Sequence, residues 1–277
     1  MPPSVRPHIF IATHHKSGTV WMLSTFRRIA QANNFAFIHL NTAESGWEIR
    51  PDKLDYLEEQ RAIAESASDL PAIIVDFHSA IPDLTACKAD RGARGIHVIR
   101  DPRDMLLSAV RYHLISDEPW LHQPSSKWGN CTYAERLRSF DSLEDQIRWE
   151  MDHYMGKAIQ EMANFPSQGV FQTIRYEDLI DDIEMTRFKR LLQDLGLDEK
   201  ETRQGLNAFW KTSIFGDRSQ ADLRSTKNHI HNSKPRQWTQ LPARTIDLIE
   251  QRFEQEITQL GYELSPDRAR ARRQITH

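Results

Sequence analysis

Residues 7–28, PHIFIATHHKSGTVWMLSTFRR, join a short apolar run to an amphipathic segment through a polar turn. The run His8–Ala12 predicts a buried strand, and the segment that starts at Val20 predicts a helix. The first N–H groups of a helix have no internal partners and lie at the positive end of its dipole. In the turn, Gly18 lets the backbone approach an anion, and Lys16 adds a full positive charge. The stretch therefore predicts a phosphate-binding turn, with an ordinary strand-to-helix turn and a solvated lysine as the alternative.

The same alternation of strand and helix continues along the chain. Apolar runs predict strands at residues 8–12, 35–39, 71–77, 95–99 and 170–175. Helical patterns predict helices at about residues 19–32, 52–66, 102–113, 133–163, 180–195, 199–211 and 243–260. Such alternation is typical of a three-layer α/β domain with a mostly parallel sheet, whose ligands bind beyond the carboxyl ends of the strands. We expect one domain over residues 1–277, with its functional residues directly after the apolar runs.

Length and composition narrow the class of protein. Of the 277 residues, 39% are hydrophobic, which is enough for a substantial core. The 36 basic and 39 acidic residues give a net charge of −3, which argues against a general nucleic-acid binder. Two cysteines, Cys87 and Cys131, indicate no disulfide framework. Since no signal-peptide pattern or long apolar span occurs, we expect a cytoplasmic protein without a membrane partner; the oligomeric state stays open.

A second candidate phosphate site lies in residues 95–113, GIHVIRDPRDMLLSAVRYH. Arg100 follows the predicted strand, Asp101 is a natural N-cap, and Pro102 suits the first helical position. Ser108 lies two turns into the helix, so an arginine fork and a hydroxyl are available to one phosphate. For Arg103 and Asp104 we expect a solvated surface charge cluster around a well-capped helix.

Two further strand ends carry candidate residues. In PAIIVDFHSAIP, Asp76 and His78 share one face of the predicted strand because side chains alternate. A histidine there can act as a general base, although a lone histidine is more often structural. In RYEDL, Tyr176 is placed to contact a ligand, and Asp178 is placed to cap the next helix.

Two long segments lack a strong periodic pattern. Residues 114–132 and 212–238 are long enough to be functional lids or substrate loops. The arginine-rich tail, residues 267–277, is expected to be a frayed, solvated end.

Taken in order, these segments resemble the sulfotransferases that use 3′-phosphoadenosine 5′-phosphosulfate (PAPS). HHKSGTVW, residues 14–21, is similar to the family's phosphosulfate loop PKSGTTW. VIRDPRDMLLSAVRYH, residues 98–113, is similar to the family's 3′-phosphate motif. YEDL matches a recurrent family segment. HNSKPRQW, residues 231–238, resembles the family's RKGxxGxW motif with several positions changed. The resemblance spans about residues 8–238.

The resemblance implies a single α/β domain, related to nucleotide kinases, that transfers a sulfuryl group to a hydroxyl or an amine without a metal. Lys16 would stabilise charge on the leaving bridge oxygen, and His78 would be the general base. The remaining residues that it assigns to the nucleotide are Ser17, Gly18, Thr19 and Val20 for the 5′-phosphate, Trp21 and Tyr176 for the adenine, Arg100 and Ser108 for the 3′-phosphate, and His231, Asn232 and Ser233 in the C-terminal motif.

The sequence departs from the family pattern at positions assigned to the sulfuryl donor and at one near the expected site of the acceptor substrate. Val20 replaces the second threonine of the loop, and Arg236 stands where the second glycine of the C-terminal motif is usual. Asp76 stands where many family members carry lysine. Together with Asp117 and Trp120 in the predicted lid, Asp76 suggests an acidic, aromatic acceptor site and a small polar or cationic acceptor.

Two other functions stay open at this point. One is a P-loop kinase for a small molecule, although the glycine and lysine occur in the wrong order for the common nucleoside-triphosphate loop. The other is a protein that binds adenosine 3′,5′-bisphosphate (PAP) but has lost catalysis, as the altered C-terminal motif would suggest.

Overall fold

The computed structural model describes residues 6–40, 71–76, 92–167, 169–216 and 235–275. The chain divides into two compact units. The first comprises Met1–Ile99 and Pro166–Thr226, and the second comprises Arg100–Phe165 and Lys227–His277.

A parallel sheet forms the centre of the first unit. Its strands are β1 (His8–Ala12), β2 (Ala36–Leu40), β3 (Ala72–Asp76), β4 (Ala93–Ile99) and β5 (Phe171–Arg175), in the order β2-β3-β1-β4-β5. All four strand pairs are parallel. Each apolar run predicted as a strand forms one, within two residues at either end. The predicted α/β class with a mostly parallel sheet is therefore confirmed.

The α-helices of the described residues follow in chain order. They are α1 (Thr19–Asn33), α2 (Pro102–Ile115), α3 (Tyr133–Arg138), α4 (Leu143–Asp152), α5 (Tyr154–Ala163), α6 (Tyr176–Ile180), α7 (Thr186–Asp194), α8 (Glu199–Thr212), α9 (Ala243–Gln259) and α10 (Pro266–Ile275). Short 3₁₀ turns lie at Pro119–His122, Ser126–Trp128 and Gln237–Gln240. None of these helices is long and apolar enough to cross a membrane.

One face of the sheet carries the hydrophobic core of the first unit. Ile11, Val75 and Val98 lie in the core cluster and are fully buried. From the helices, Phe26 of α1 and Phe209 of α8 enter the same cluster and are also fully buried. This packing holds α1 against the sheet and thereby sets the direction of the turn that precedes it.

The second unit is helical in its described part. Helix α2 packs against α3, α4 and α5, and α9 packs against α2 and α5. Leu106, Leu137, Ile147 and Ile257 are fully buried within this unit. Helix α2 therefore provides the scaffold on which the second candidate phosphate motif lies.

Two of the predicted helices were too long. Residues 133–163 form three helices, because Ser142 caps a new helix by accepting the N–H of Asp145, and His153 has non-helical backbone angles. The predicted helix over 180–195 is also wrong, since α6 ends at Ile180 and α7 begins at Thr186. A side-chain cap such as that of Ser142 favours the start of a new helix over continuation of the previous one. Hydrophobic periodicity alone does not reveal such a cap.

The predicted frayed tail is wrong as well, because α10 extends from Pro266 to Ile275. Ser265, directly before α10, donates from both its N–H and its hydroxyl to Glu250 of α9. Arg268 forms an ion pair of 2.9 Å with Glu254. These contacts with α9 stabilise a helix that its own composition would leave marginal.

Candidate functional site

The turn after β1 has the backbone of an anion site. Lys16 and Gly18 both lie at positive φ, +67° and +106°. The first intrahelical bond of α1 runs from the N–H of Met22 to the carbonyl of Gly18, at 3.0 Å. The N–H groups of Thr19, Val20 and Trp21 consequently have no acceptor within the helix. They are available to an anion at the positive end of the α1 dipole.

His14 organises this turn through its main chain. Its N–H donates to the hydroxyl of Ser17 at 2.8 Å, and its carbonyl accepts from the N–H and the hydroxyl of Ser17 at 2.9 and 3.0 Å. The same carbonyl accepts the hydroxyl of Thr19 at 3.0 Å. The hydroxyl and the amide of Ser17 are thus both hydrogen-bonded within the turn. Ser17 therefore stabilises the conformation of the loop.

The side chain of His14 reaches the sheet. Its Nε2 lies 2.8 Å from Nε2 of His97, which is in β4, and the rings cross at 75°. His14 and His97 are 1% and 4% exposed. Burial lowers the pKa of His97 to about 4, so this ring is neutral at neutral pH.

Three of the predicted nucleotide residues come together in the first unit. The ring of Tyr176 lies so close to Gly18 that a Cβ there would be 2.8 Å from Tyr176 Cδ2. Tyr176 meets Trp21 edge-on, with ring centroids 6.0 Å apart. Trp21 stacks at 5.1 Å on Phe209, and its buried Nε1 has no hydrogen-bond partner among the described residues. Gly18, Trp21 and Tyr176 are therefore packed against one another at the start of α1.

The second predicted phosphate motif opens the second unit. Arg100 is 5% exposed and directly follows β4. Asp101 caps α2 by accepting the N–H of Arg103 at 3.0 Å, and Pro102 is the first residue of the helix, both as predicted. Ser108 is half-buried in α2, two turns after Arg100.

The surface charge cluster expected at Arg103 and Asp104 is wrong, because each residue is 2% exposed. Arg103 donates through Nε and Nη2 to the two oxygens of Asp101, at 2.9 and 2.7 Å, and through Nη1 to Glu250 at 2.5 Å. Its guanidinium also lies 3.6 Å from the ring centre of Trp238. Burial alone would lower the pKa of Arg103, but its bonds to the two carboxylates raise it above the usual value. Arg103 is thus a buried structural cation.

Asp104 connects α2 to the C-terminal motif. Its two oxygens accept the N–H groups of Arg236 and Trp238 at 2.6 and 2.9 Å. Burial raises the pKa of this carboxyl, while the positive charge of Arg100 acts in the opposite direction. Arg236 has a φ of +60°, which explains why glycine would be usual at this position.

The predicted lid residues lie in and beside an aromatic cluster of the second unit. Trp120 stacks on Tyr154 at 5.1 Å and donates from Nε1 to Glu118 at 2.6 Å. Beneath it, Nδ1 of His113 lies 2.6 Å from Oε1 of Glu150, and both residues are fully buried. Asp117 is exposed. The indole of Trp120 is therefore already engaged in packing.

Several predicted residues lie outside the described residues. They are His78, His231, Asn232 and Ser233, together with most of the predicted loop 212–238. Asp76 is the last residue of β3, where its backbone pairs with Ala12 of β1. Within the described ranges, no group of three His, Cys, Asp or Glu side chains is arranged to hold a metal ion.

Helix α7 provides one more correction. Asp178 does not cap it, because Asp178 lies inside α6 and forms an ion pair with Arg187. Asp182 takes that role and accepts the N–H groups of Arg187 and Phe188 at 3.2 and 2.8 Å.

Sequence reasoning gave no role to His14 or His97, and it assigned Arg103 and Asp104 to the surface. His14 is the first residue of the recognised loop, residues 14–21, which was a usable signal. For Arg103 the signal was weaker, since Glu250 is 147 positions away along the chain.

A parallel sheet whose central strand leads through a glycine turn into a helix is typical of α/β proteins that bind phosphate groups. The family model of the sulfotransferase domain matches residues 6–259, so the chain belongs to the sulfotransferase family and is a sulfotransferase enzyme.

Solved structures that are similar to this chain include two sulfotransferase structures. Mouse sulfotransferase SULT7A1, complexed with PAP, is 18% identical with a TM-score of 0.52, over 91% of this chain and 84% of that chain. The sulfotransferase domain of the olefin synthase of Synechococcus PCC 7002 is 15% identical with a TM-score of 0.38, over 90% of this chain and 96% of that chain. The first similarity supports the fold. A search among curated protein sequences found no significant match.

Proposed function

We propose that this sulfotransferase transfers the sulfuryl group of PAPS to a hydroxyl or amine of a small, polar or cationic acceptor. The observation that carries the proposal is the turn after β1. There Lys16, the positive φ of Gly18 and the first amides of α1 form a site for a phosphate-like anion. The mouse sulfotransferase of similar fold was solved with PAP, the desulfated form of this donor. The low cysteine content supports a reducing, cytoplasmic location.

The residues of the turn fit a 5′-phosphosulfate. A Cβ at position 18 would collide with Tyr176, so only glycine allows the ring of Tyr176 to lie this close to the backbone of the turn. The amides of Thr19 and Val20 bind the phosphate, and the ammonium of Lys16 stabilises negative charge on the leaving oxygen. Ser17 acts through the loop that it and His14 build.

The adenosine end is assigned to aromatic and basic residues. Trp21 and Tyr176 contact the adenine, with the indole supported from behind by Phe209. Arg100 and Ser108 bind the 3′-phosphate, and His231, Asn232 and Ser233 complete its binding in the C-terminal motif. Replacing Arg100 by Ala is expected to weaken PAP binding by about 1.5–3 kcal/mol, the range for a hydrogen bond to a charged group. An unchanged dissociation constant would remove Arg100 from the site.

His78 is the proposed general base. It takes the proton of the attacking hydroxyl or amine while Lys16 stabilises the opposite end of the in-line transfer. In a direct test, sulfur-radiolabelled PAPS is incubated with a panel of acceptors, with and without magnesium. We expect labelled product without added metal, and loss of most turnover in His78→Ala with nearly unchanged PAP binding. Activity that survives in His78→Ala would show that another base operates.

The same assay distinguishes the other two functions. Turnover of ATP that requires magnesium would indicate a small-molecule kinase. PAP binding without transfer to any acceptor would indicate an inactive binding protein.

The proposed preference for a cationic acceptor rests on Asp76, with Asp117 and Trp120 as further lining residues. Replacing Asp76 by Asn is expected to reduce turnover of charged acceptors more than turnover of matched neutral ones. Equal effects on both classes would argue against cation binding.

A further inference from the structure

We infer that the hydrogen bond between His14 and His97 positions the phosphosulfate loop, so that His97 is a positioning residue for donor binding. This inference rests on the proposed function, because it assigns His97 a role in the same site. His97 belongs to β4, outside the loop, and the proposed roles above do not include it.

On the loop side, a single residue controls the backbone. The carbonyl of His14 accepts three hydrogen bonds, from the amide and hydroxyl of Ser17 and from the hydroxyl of Thr19. Its N–H is bonded to the hydroxyl of Ser17 in return. Lys16 and Gly18 alternate with these anchored residues, so displacement of His14 moves the whole turn.

On the sheet side, the partner is buried within a paired strand. His97 pairs with Ala12 in the register between β1 and β4, and it is flanked by the fully buried Ile96 and Val98. A 2.8 Å contact between two ring nitrogens requires that one donates a proton and the other accepts. The neutral form of His97, which burial favours, keeps one nitrogen available for this bond at neutral pH.

The bond therefore fixes His14 to an interior strand of the sheet, since β4 lies between β1 and β5. Without it, a buried polar ring would lose this hydrogen bond, and an arrangement that exposes the ring to water would compete with the present loop. In that arrangement the His14 carbonyl no longer holds Ser17 and Thr19 in place. The amides at the start of α1 and Lys16 then converge less well on the phosphosulfate.

The test measures the dissociation constant of PAP by calorimetry, together with KM for PAPS and kcat, in His97 variants of the full chain. His97→Leu removes the hydrogen bond, and His97→Gln keeps a donor and an acceptor at a similar reach. We expect about tenfold weaker PAP binding and a similar rise in KM for His97→Leu, and a change below threefold for His97→Gln. Val98→Ala, a buried change on the same strand, controls for general loss of stability and is expected to leave PAP affinity unchanged.

A double-mutant cycle with His14→Leu completes the test. If the two rings act through their mutual bond, the double variant binds PAP no more weakly than the worse single variant. Equal PAP affinity in wild type and His97→Leu would overturn the inference, as would a failure of Gln to rescue. If His97→Leu does not fold, His97→Phe takes its place. Absence of PAP binding in the wild type would instead refute the proposed function, so the two failures are distinguishable.

Discussion

Replacement of Gly18 by Ala tests the geometry of the turn after β1, the proposed phosphosulfate loop. Gly18 has a φ of +106° and caps α1 without a side chain. A Cβ there would lie 2.8 Å from Cδ2 and 3.2 Å from Cε2 of Tyr176. Because carbon atoms in contact normally lie about 3.5–4.0 Å apart, the tyrosine would have to move. Tyr176 is 8% exposed and packs on Trp21, so its movement disturbs a second ring.

Two costs add in this variant. Left-handed backbone costs a residue with a Cβ about 1–2 kcal/mol. Overpacking of a filled site costs about 1–3 kcal/mol. We therefore expect Gly18→Ala to lower the free energy of unfolding by about 2–5 kcal/mol and to abolish measurable PAP binding, since the loop loses its close approach.

Urea unfolding followed by circular dichroism, with calorimetry of PAP binding, measures both effects. Gly129→Ala is the matched control, because Gly129 also has positive φ, +70°, but an added Cβ there meets no described atom within 4 Å. It is expected to cost only the backbone strain, about 1–2 kcal/mol. In a Tyr176→Ala background, the cost of Gly18→Ala should fall to the same value.

Equal losses of stability in Gly18→Ala and Gly129→Ala would refute the reasoning, since the contact with Tyr176 would then contribute nothing. The same conclusion would follow if Tyr176→Ala left the cost of Gly18→Ala unchanged. Normal PAP affinity in a folded Gly18→Ala would show that this glycine is not required by the nucleotide.

Three further predictions concern buried charge, backbone strain and pH. Glu250→Gln leaves the buried cation Arg103 with one carboxylate partner fewer, and should lower the free energy of unfolding by about 3–5 kcal/mol in urea; a loss below about 1 kcal/mol would contradict a paired buried charge. Arg236→Gly relieves a φ of +60° and should leave the melting temperature unchanged or higher, whereas Arg236→Val should lower it; the opposite ranking would exclude strain. The folded-state pKa of His97, about 4, lies below its ordinary 6.5, so the unfolded chain binds more protons between these values and stability falls as pH decreases. His97→Gln should lack this loss, roughly 3 kcal/mol between pH 6.5 and 4; parallel stability curves would contradict it.

The sheet could be predicted because its strands are short, continuous apolar runs. A strand buried on both faces does not alternate, and the run from His8 to Ala12 or from Ala72 to Asp76 shows this directly. The start of α2 could also be predicted, since the Asp101 cap and Pro102 are local signals contained within residues 101–103. In each case the physical cause lies within one turn or one strand of the chain.

Errors arose where local and distant interactions compete. The predicted helix over residues 133–163 has an adequate hydrophobic pattern, but Ser142 starts a new helix with its own hydroxyl. The tail forms α10 because Ser265 and Arg268 contact α9. The amino-acid composition of such a segment indicates that it is exposed to solvent. Whether the segment is helical depends on the residues that it packs against.

By itself, the sequence determined the α/β class and the family, and it located the glycine turn after β1 and the capped start of α2, because strand patterns, caps and glycine turns are short-range properties. Only the tertiary structure decided that Arg103 and Asp104 are buried and that His14 is bonded to His97. The partners in those contacts are 83 to 147 positions apart. A charged or ionisable side chain is stable in the interior only when such partners satisfy it, and no pattern along the chain records which distant groups meet.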